Sequence, residues 1–191
     1  MLRSLVGSEE CIRDKTECTW VMDYAACNPL SVIRYHASDM VLYVHSDASY
    51  LSETQARSRG AGHFFLSSQP QDPLQPPEDL PPLNGPIHTM CKIIDVVVGS
   101  AAEAEIGAAY LNCQDAVPII TTLTELGHPQ PPTPIQVDNT TAEGFANGTM
   151  KQNRSKAMDM HAMALAQMSS APEANYRPGK ENLADPFTKH H

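Results

Sequence analysis

Four carboxylates stand where they can share one task. Asp47 follows the apolar run Val41-Leu42-Tyr43-Val44, Glu105 lies early in the Ala-rich "GSAAEAEIGAAY", Asp138 follows "PIQV", and Asp185 lies in the final segment "LADPFTKHH". Each has an ordinary structural use. An Asp after a strand forms turns through bonds to nearby backbone, and Asp138 or the Asn182–Asp185 pair suits the start of a helix. Gathered at one sheet edge, however, four carboxylates repel one another unless divalent cations neutralise them. Hard oxygen ligands suit Mg²⁺ or Mn²⁺. Two such ions about 4 Å apart can activate a water and stabilise the leaving oxygen in phosphodiester cleavage.

The elements that must position these acids can be read in order. Residues 1–30 predict a helical lead-in with Trp20, Val21, Tyr24 and Ala25 at helical spacing, ended by "NPL". A strand is predicted over about 41–45, stopping at the Asp47 carboxylate, followed by a polar loop "SYLSETQARSRG" and a second strand in "AGHFFLSS". The proline-rich stretch 69–86 cannot donate a ladder of hydrogen bonds and predicts a surface loop. "IHTMCKIIDVVV" is rich in β-branched residues and completes an antiparallel meander.

A helix is predicted over "GSAAEAEIGAAYLNCQDA", with a second in "VPIITTLTELG", before the "HPQPPTP" break. Next come a short strand "PIQVDN", helices in "TTAEGFANG" and "SKAMDMHAMALAQM", a strand in "EANYRPGKEN" and a terminal helix. Strands separated by helices pair in parallel whereas the meander is antiparallel, so the order specifies an α/β fold with a mixed sheet. In such a sheet the ends of the first and fourth strands can lie side by side, and Asp47 and Asp138 can meet.

Helix phase separates the two neighbouring glutamates. Two residues along a helix turn through about 200°, so one site cannot easily use both Glu103 and Glu105. Ser100-Ala101-Ala102-Glu103 has capping-box spacing, in which Glu103 bonds back to the N-cap amide. Glu105 is then left for the metal.

Composition narrows the function classes. With 191 residues, 41% hydrophobic and 18% charged, the chain suits one domain with a substantial core, here residues 31–191. The net charge of −9 argues against holding nucleic acid by bulk electrostatics. The bases Lys151, Arg154, Lys156, Arg177, Lys180 and Lys189 nevertheless outnumber the acids after residue 150, so a phosphate-facing surface is expected there. Five cysteines without a CxxC pair suggest reduced thiols and an intracellular setting, and the histidines show no HxxxH or HxH metal spacing. No apolar run approaches membrane-spanning length.

Five blocks in order, "HSDASYLSE", "SAAEAEIGAAY", "PIQVDNTTAEG", "KQNRSKAMDM" and "YRPGKENLADPFTKHH", carry a resemblance. Over residues 22–191 the sequence resembles the ribonuclease H domain of copia-type LTR retrotransposon polyproteins, which follows the reverse transcriptase. The resemblance implies a ribonuclease H-like fold, a mixed five-stranded sheet flanked by helices. It implies metal-dependent endonucleolytic hydrolysis of the RNA strand of RNA–DNA hybrids, with two Mg²⁺ or Mn²⁺ ions as cofactors. The family's Asp-Glu-Asp-Asp set falls on Asp47, Glu105, Asp138 and Asp185.

The implied partners are an RNA–DNA hybrid and a reverse transcriptase domain of the same polyprotein. The implied location is the cytoplasm, within virus-like particles, or the nucleus. Lys151, Arg154 and Lys156 are either a solvated helix start or contacts to hybrid phosphates. Family members carry aromatic and arginine residues in the helix after "KAMDM", where this chain reads "HAMALAQMSSAPEA". The loop "RPGKEN" lacks the histidine that cellular ribonucleases H place before the final acid. Two other readings use the same fold: a noncatalytic remnant binding nucleic acid or protein, and a DNA nuclease or transferase.

Overall fold

The computed structural model describes residue 15 and residues 18–68, 82–140, 143–144, 174–176, 179 and 182–189. The chain divides into two units, Met1–Arg34 and Tyr35–His191. In the first, helix α1 covers 18–27, with Trp20 and Tyr24 exposed. The Asn28 backbone N–H and Nδ2 both donate to Tyr24 O at its C-terminal end, each at 2.9 Å. The expected helix over "SKAMDMHAMALAQM" and most of the proline-rich stretch lie outside the described residues; of "TTAEGFANG", the described Thr140, Glu143 and Gly144 are helical, with Glu143 N donating to Asn139 O at 3.0 Å.

The second unit is built on strands β1 (Val41–Glu53), β2 (Arg57–Ser67), β3 (Pro86–Ile93), β4 (Ile135–Val137) and β5 (Ala174–Tyr176). They form one mixed sheet in the order β3-β2-β1-β4-β5. The β1–β2 and β2–β3 pairs are antiparallel, and β4 runs parallel to both β1 and β5. Helices α2 (Ala101–Glu125) and α3 (Asp185–Thr188) complete the described elements. The fold class is that predicted: a ribonuclease H-like arrangement of an antiparallel meander plus parallel strands, flanked by helices.

Two local expectations need correction. β1 does not stop at Asp47 but runs on to Glu53, and the expected polar loop shrinks to Thr54–Ala56 between two long strands. Gln55 and Ala56 both adopt positive φ, 63° and 54°. Asn-Gly or Asp-Gly usually supplies that geometry in a tight hairpin, and neither occurs here, so no local signal marked the turn. The two helices expected after the meander are one 25-residue helix that continues through Pro118. Proline removes the N–H that would bond four residues back. Pro118 and Gln114 both lie on the exposed side, where water can take the freed carbonyl.

The core fills the space between α2 and one sheet face. Leu42, Val44, Phe64, Met90, Ile135 and Val137 from four strands meet Ile106, Ala109, Cys113 and Ala116. Fully burying each large apolar side chain contributes about 1.5–3 kcal/mol. The opposite face holds a smaller cluster of Val41, Tyr43 and Phe65, with the Tyr43 and Phe65 rings stacked at 5.8 Å.

Small residues set how closely α2 approaches. A Cβ at Gly62 would fall 1.8 Å from Asn112 Oδ1, so only glycine admits the helix at this height. Buried Asn112 then donates from Nδ2 to Ser46 Oγ and to Ala61 O, both at 2.9 Å. Seven residues are nearly two whole turns, so Asn112 and Glu105 share a face. Fixing Asn112 to β1 and β2 therefore also fixes where Glu105 points.

Candidate metal centre

Each acid reaches the centre from a different element. Asp47 lies on β1, paired in register with Ala61 of β2, and is 4% exposed. Asp138 lies one residue beyond β4 and is half-buried. Because β1 and β4 are neighbouring parallel strands with His45 opposite Gln136, the residues two further on, Asp47 and Asp138, emerge together. Glu105 comes down from the second turn of α2 and is 6% exposed. One oxygen of each of Asp47, Glu105 and Asp138 lies within 4.8 Å of the others.

Asp185, the first residue of α3, stands beside this trio. Its charge acts on Asp47 and Asp138, but its carboxylate is engaged by Lys189 Nζ at 2.6 Å. Glu103 caps as its spacing predicts, with a shift of one residue in the backbone donor. Its backbone N–H donates to Ser100 Oγ at 3.2 Å, and its Oε2 accepts from Gly99 N at 2.6 Å, one residue before the N-cap. Lys151, Arg154 and Lys156 lie outside the described residues.

The electrostatics are those of acids held together at a cost. Burial pushes Asp47 up to about 6, with the charges of Asp138 and Asp185 adding to the rise; a hydrogen bond from Thr188 and the charge of Lys189 oppose it. Burial raises Glu105 to about 9, helped by Asp47 and Asp138 and opposed by a hydrogen bond from Ala48 N. Asp138 is also raised, by burial and then by Asp185. Desolvation and like charge both favour the protonated acid.

A divalent cation fits this donor set. Glu105 Oε1 accepts from Ala48 N at 3.2 Å, while Oε2 is buried without a hydrogen-bond partner. An unsatisfied buried carboxylate oxygen costs free energy. All the donors are hard oxygens from carboxylates, which is the chemistry of Mg²⁺ and Mn²⁺ sites and not that of softer metals.

Sequence reasoning missed the side chains that hold the acids. Thr188 is buried, and its Oγ1 donates to Asp47 Oδ2. Gly179, in the "RPGKEN" loop, comes so close to Asp138 that a Cβ there would sit 2.9 Å from Oδ2. Asn182 and Leu183 tie the segment before α3 to β1. The only signal for Thr188 and Lys189 was their spacing, three and four residues after an acid on one helical face.

No family model matches the sequence, and no curated protein matches it. Among solved structures, the chain is similar to the N-terminal RNase H domain of a Mycobacterium tuberculosis protein, solved as a fusion with maltose-binding protein. The identity is 12% and the TM-score 0.50, over 78% of this chain and 91% of that one. It is also similar to LC11-RNase H1, solved in complex with an RNA/DNA hybrid, at 9% identity and a TM-score of 0.51, over 76% of this chain and 92% of that one. Together with the strand order and the helix packed across β1 and β2, these likenesses establish that the chain has a ribonuclease H-like fold.

Proposed function

We propose that the chain is a divalent-metal-dependent endoribonuclease that hydrolyses the RNA strand of RNA–DNA hybrids, as the ribonuclease H domain of a copia-type retroelement polyprotein. The observation that carries this reading is the convergence of Asp47, Glu105 and Asp138 from three elements, with a buried Glu105 oxygen left without a partner. Asp47, Glu105, Asp138 and Asp185 would hold two Mg²⁺ or Mn²⁺ ions. When bound, such ions supply activation of a water and stabilisation of the leaving oxygen.

The protein's own groups prepare that chemistry. Thr188 orients the Asp47 carboxylate and favours its charged form. Ala48 N fixes Glu105 Oε1 and leaves Oε2 for a ligand. Asp47 and Glu105 are buried while Asp138 and Asp185 are part-exposed, so a phosphodiester approaches from the side of Asp138 and Asp185. Lys151, Arg154 and Lys156 contact the hybrid's phosphates in this reading, and a reverse transcriptase domain of the same polyprotein is the natural partner.

The deciding experiment is a cleavage assay on labelled RNA–DNA hybrid, double-stranded RNA and duplex DNA, with Mg²⁺, Mn²⁺ or chelator. The expected result is cutting of the hybrid's RNA strand only with metal, lost in Asp47→Asn and Asp138→Asn. Equal cleavage in chelator overturns the reading. Binding of hybrid without cleavage in either metal assigns the chain to the noncatalytic binding class, and preferential cutting of duplex DNA makes it a DNA nuclease. Replacing Lys151, Arg154 and Lys156 together should weaken hybrid binding alike across sequences, because backbone contacts do not read bases.

A further inference from the structure

We propose that Lys189 is a built-in counter-cation of the acidic centre, whose ammonium holds Asp185 and competes with a divalent ion for that carboxylate. The inference rests on the metal-centre reading above and adds a residue that tunes how readily the centre takes its metal.

The geometry ties Lys189 to the centre through its neighbour. Thr188 is buried and bonded to Asp47, so the end of α3 is fixed against β1. The next residue, Lys189, places Nζ 2.6 Å from the Asp185 carboxylate. Two consecutive side chains thus engage two different acids, one by a hydroxyl and one by a charge.

Among the described residues, the other basic side chains paired with acids are committed elsewhere: Arg59 to Glu53 at 2.5 Å, and Lys92 and His88 to Asp115 at 3.5 Å and 3.1 Å. Lys189 is the basic group whose charge favours the ionised forms of both Asp47 and Asp138. Its side chain is 59% exposed, so it can swing into water without a packing penalty.

One ammonium cannot do the whole task. It reaches the outer acid, Asp185, and leaves the buried Glu105 Oε2 without a partner. Full neutralisation therefore still requires a cation deeper in the centre. Such a cation recruits Asp185 against the ammonium already 2.6 Å from that carboxylate, so like charges must approach each other as it binds. A pair this exposed is weak, so the competition shifts metal affinity by a modest factor and does not abolish it.

The test is a thermal-melt titration of the full chain with Mn²⁺ at low salt, comparing wild type, Lys189→Gln and Lys189→Arg. Lys189→Gln is expected to melt slightly lower in chelator, because the acids lose a counter-charge. Its Mn²⁺ midpoint should move about two- to fivefold lower than wild type. Lys189→Arg keeps the charge and should keep the wild-type midpoint, and raised salt should shrink the difference. An unchanged or higher midpoint in Lys189→Gln overturns the proposal while leaving the metal-centre reading standing. A wild type whose melting does not respond to Mn²⁺ overturns both.

Discussion

Asn182 and Ser46, 136 residues apart in the chain, are joined by a buried hydrogen bond in which Asn182 Nδ2 donates to Ser46 O at 2.7 Å. Beside it, Leu183 N donates to His45 Nδ1 at 3.0 Å. Asn182 Oδ1 also accepts from Ala184 N at 3.0 Å, shaping the turn that opens α3. The segment carrying Asp185, Thr188 and Lys189 is therefore held to the strand carrying Asp47 by directional bonds.

Removing that clamp should loosen the centre before it unfolds the sheet. Asn182→Ala removes the buried bond to the Ser46 carbonyl, a cost of about 0.5–1.5 kcal/mol. Urea denaturation should show a lower midpoint, and amide exchange should rise in the α3 segment more than in β1 and β2. The metal-induced rise in melting temperature should shrink, because Asp185 and Thr188 lose their fixed positions. Unchanged exchange in α3 would mean the clamp does not hold the segment.

The two glutamates of α2 should separate in opposite directions. Glu105→Gln keeps shape but removes a charged ligand. Its stability in chelator should match or exceed wild type while cleavage falls by orders of magnitude. Glu103→Ala removes the bond to Gly99 N and should cost about 0.5–1 kcal/mol with turnover largely intact. Melting temperature and turnover on both variants check the pair, and the reverse pattern would place the metal on the other helix face.

Stability without metal should fall as pH rises. Asp47 moves from its ordinary 3.8 to about 6 and Glu105 from 4.5 to about 9, so the folded state binds protons more tightly than the unfolded chain. The unfolding free energy then declines from about pH 4 upward, and the decline ends near pH 9. Saturating Mg²⁺ should flatten this slope, since the ion favours the ionised carboxylates, and apparent metal affinity should rise over the same range. Melts in chelator and in Mg²⁺ at pH 5, 7 and 9 check the sign; stability that rises with pH in chelator would contradict it.

A methyl group at Gly179 should disturb Asp138 more than the fold. The added Cβ would stand 2.9 Å from Asp138 Oδ2 with its other neighbours at 3.9 Å, so the carboxylate is the group that must move. Gly179→Ala is expected to keep a near-wild-type melt in chelator while the metal midpoint shifts to higher concentration. A lower melt with an unchanged metal midpoint would show that the glycine serves the loop instead.

Much of the architecture was legible because it follows from local pattern. Alternation of strands and helices specified a mixed sheet in which the first and fourth strands can lie side by side, and the structure pairs them. That alone let Asp47 and Asp138 meet, and capping spacing at Ser100 left Glu105 as the third acid of the trio. The hairpin beyond Asp47 was not legible, because Gln55 and Ala56 take up positive φ without a residue type that announces it. The unbroken α2 was hidden by Pro118, whose cost depends on whether the freed carbonyl faces water.

What only the tertiary structure decided is the support of the acids. Gly62 under Asn112, Gly179 against Asp138, Thr188 on Asp47 and Asn182 on Ser46 all join residues distant in sequence. Sequence periodicity records which face a residue occupies, and hydrogen bonds and close approaches between faces are set by how far apart and at what angle the elements pack. Only once the chain is folded does a threonine of its last described helix become the partner of an aspartate on its first strand.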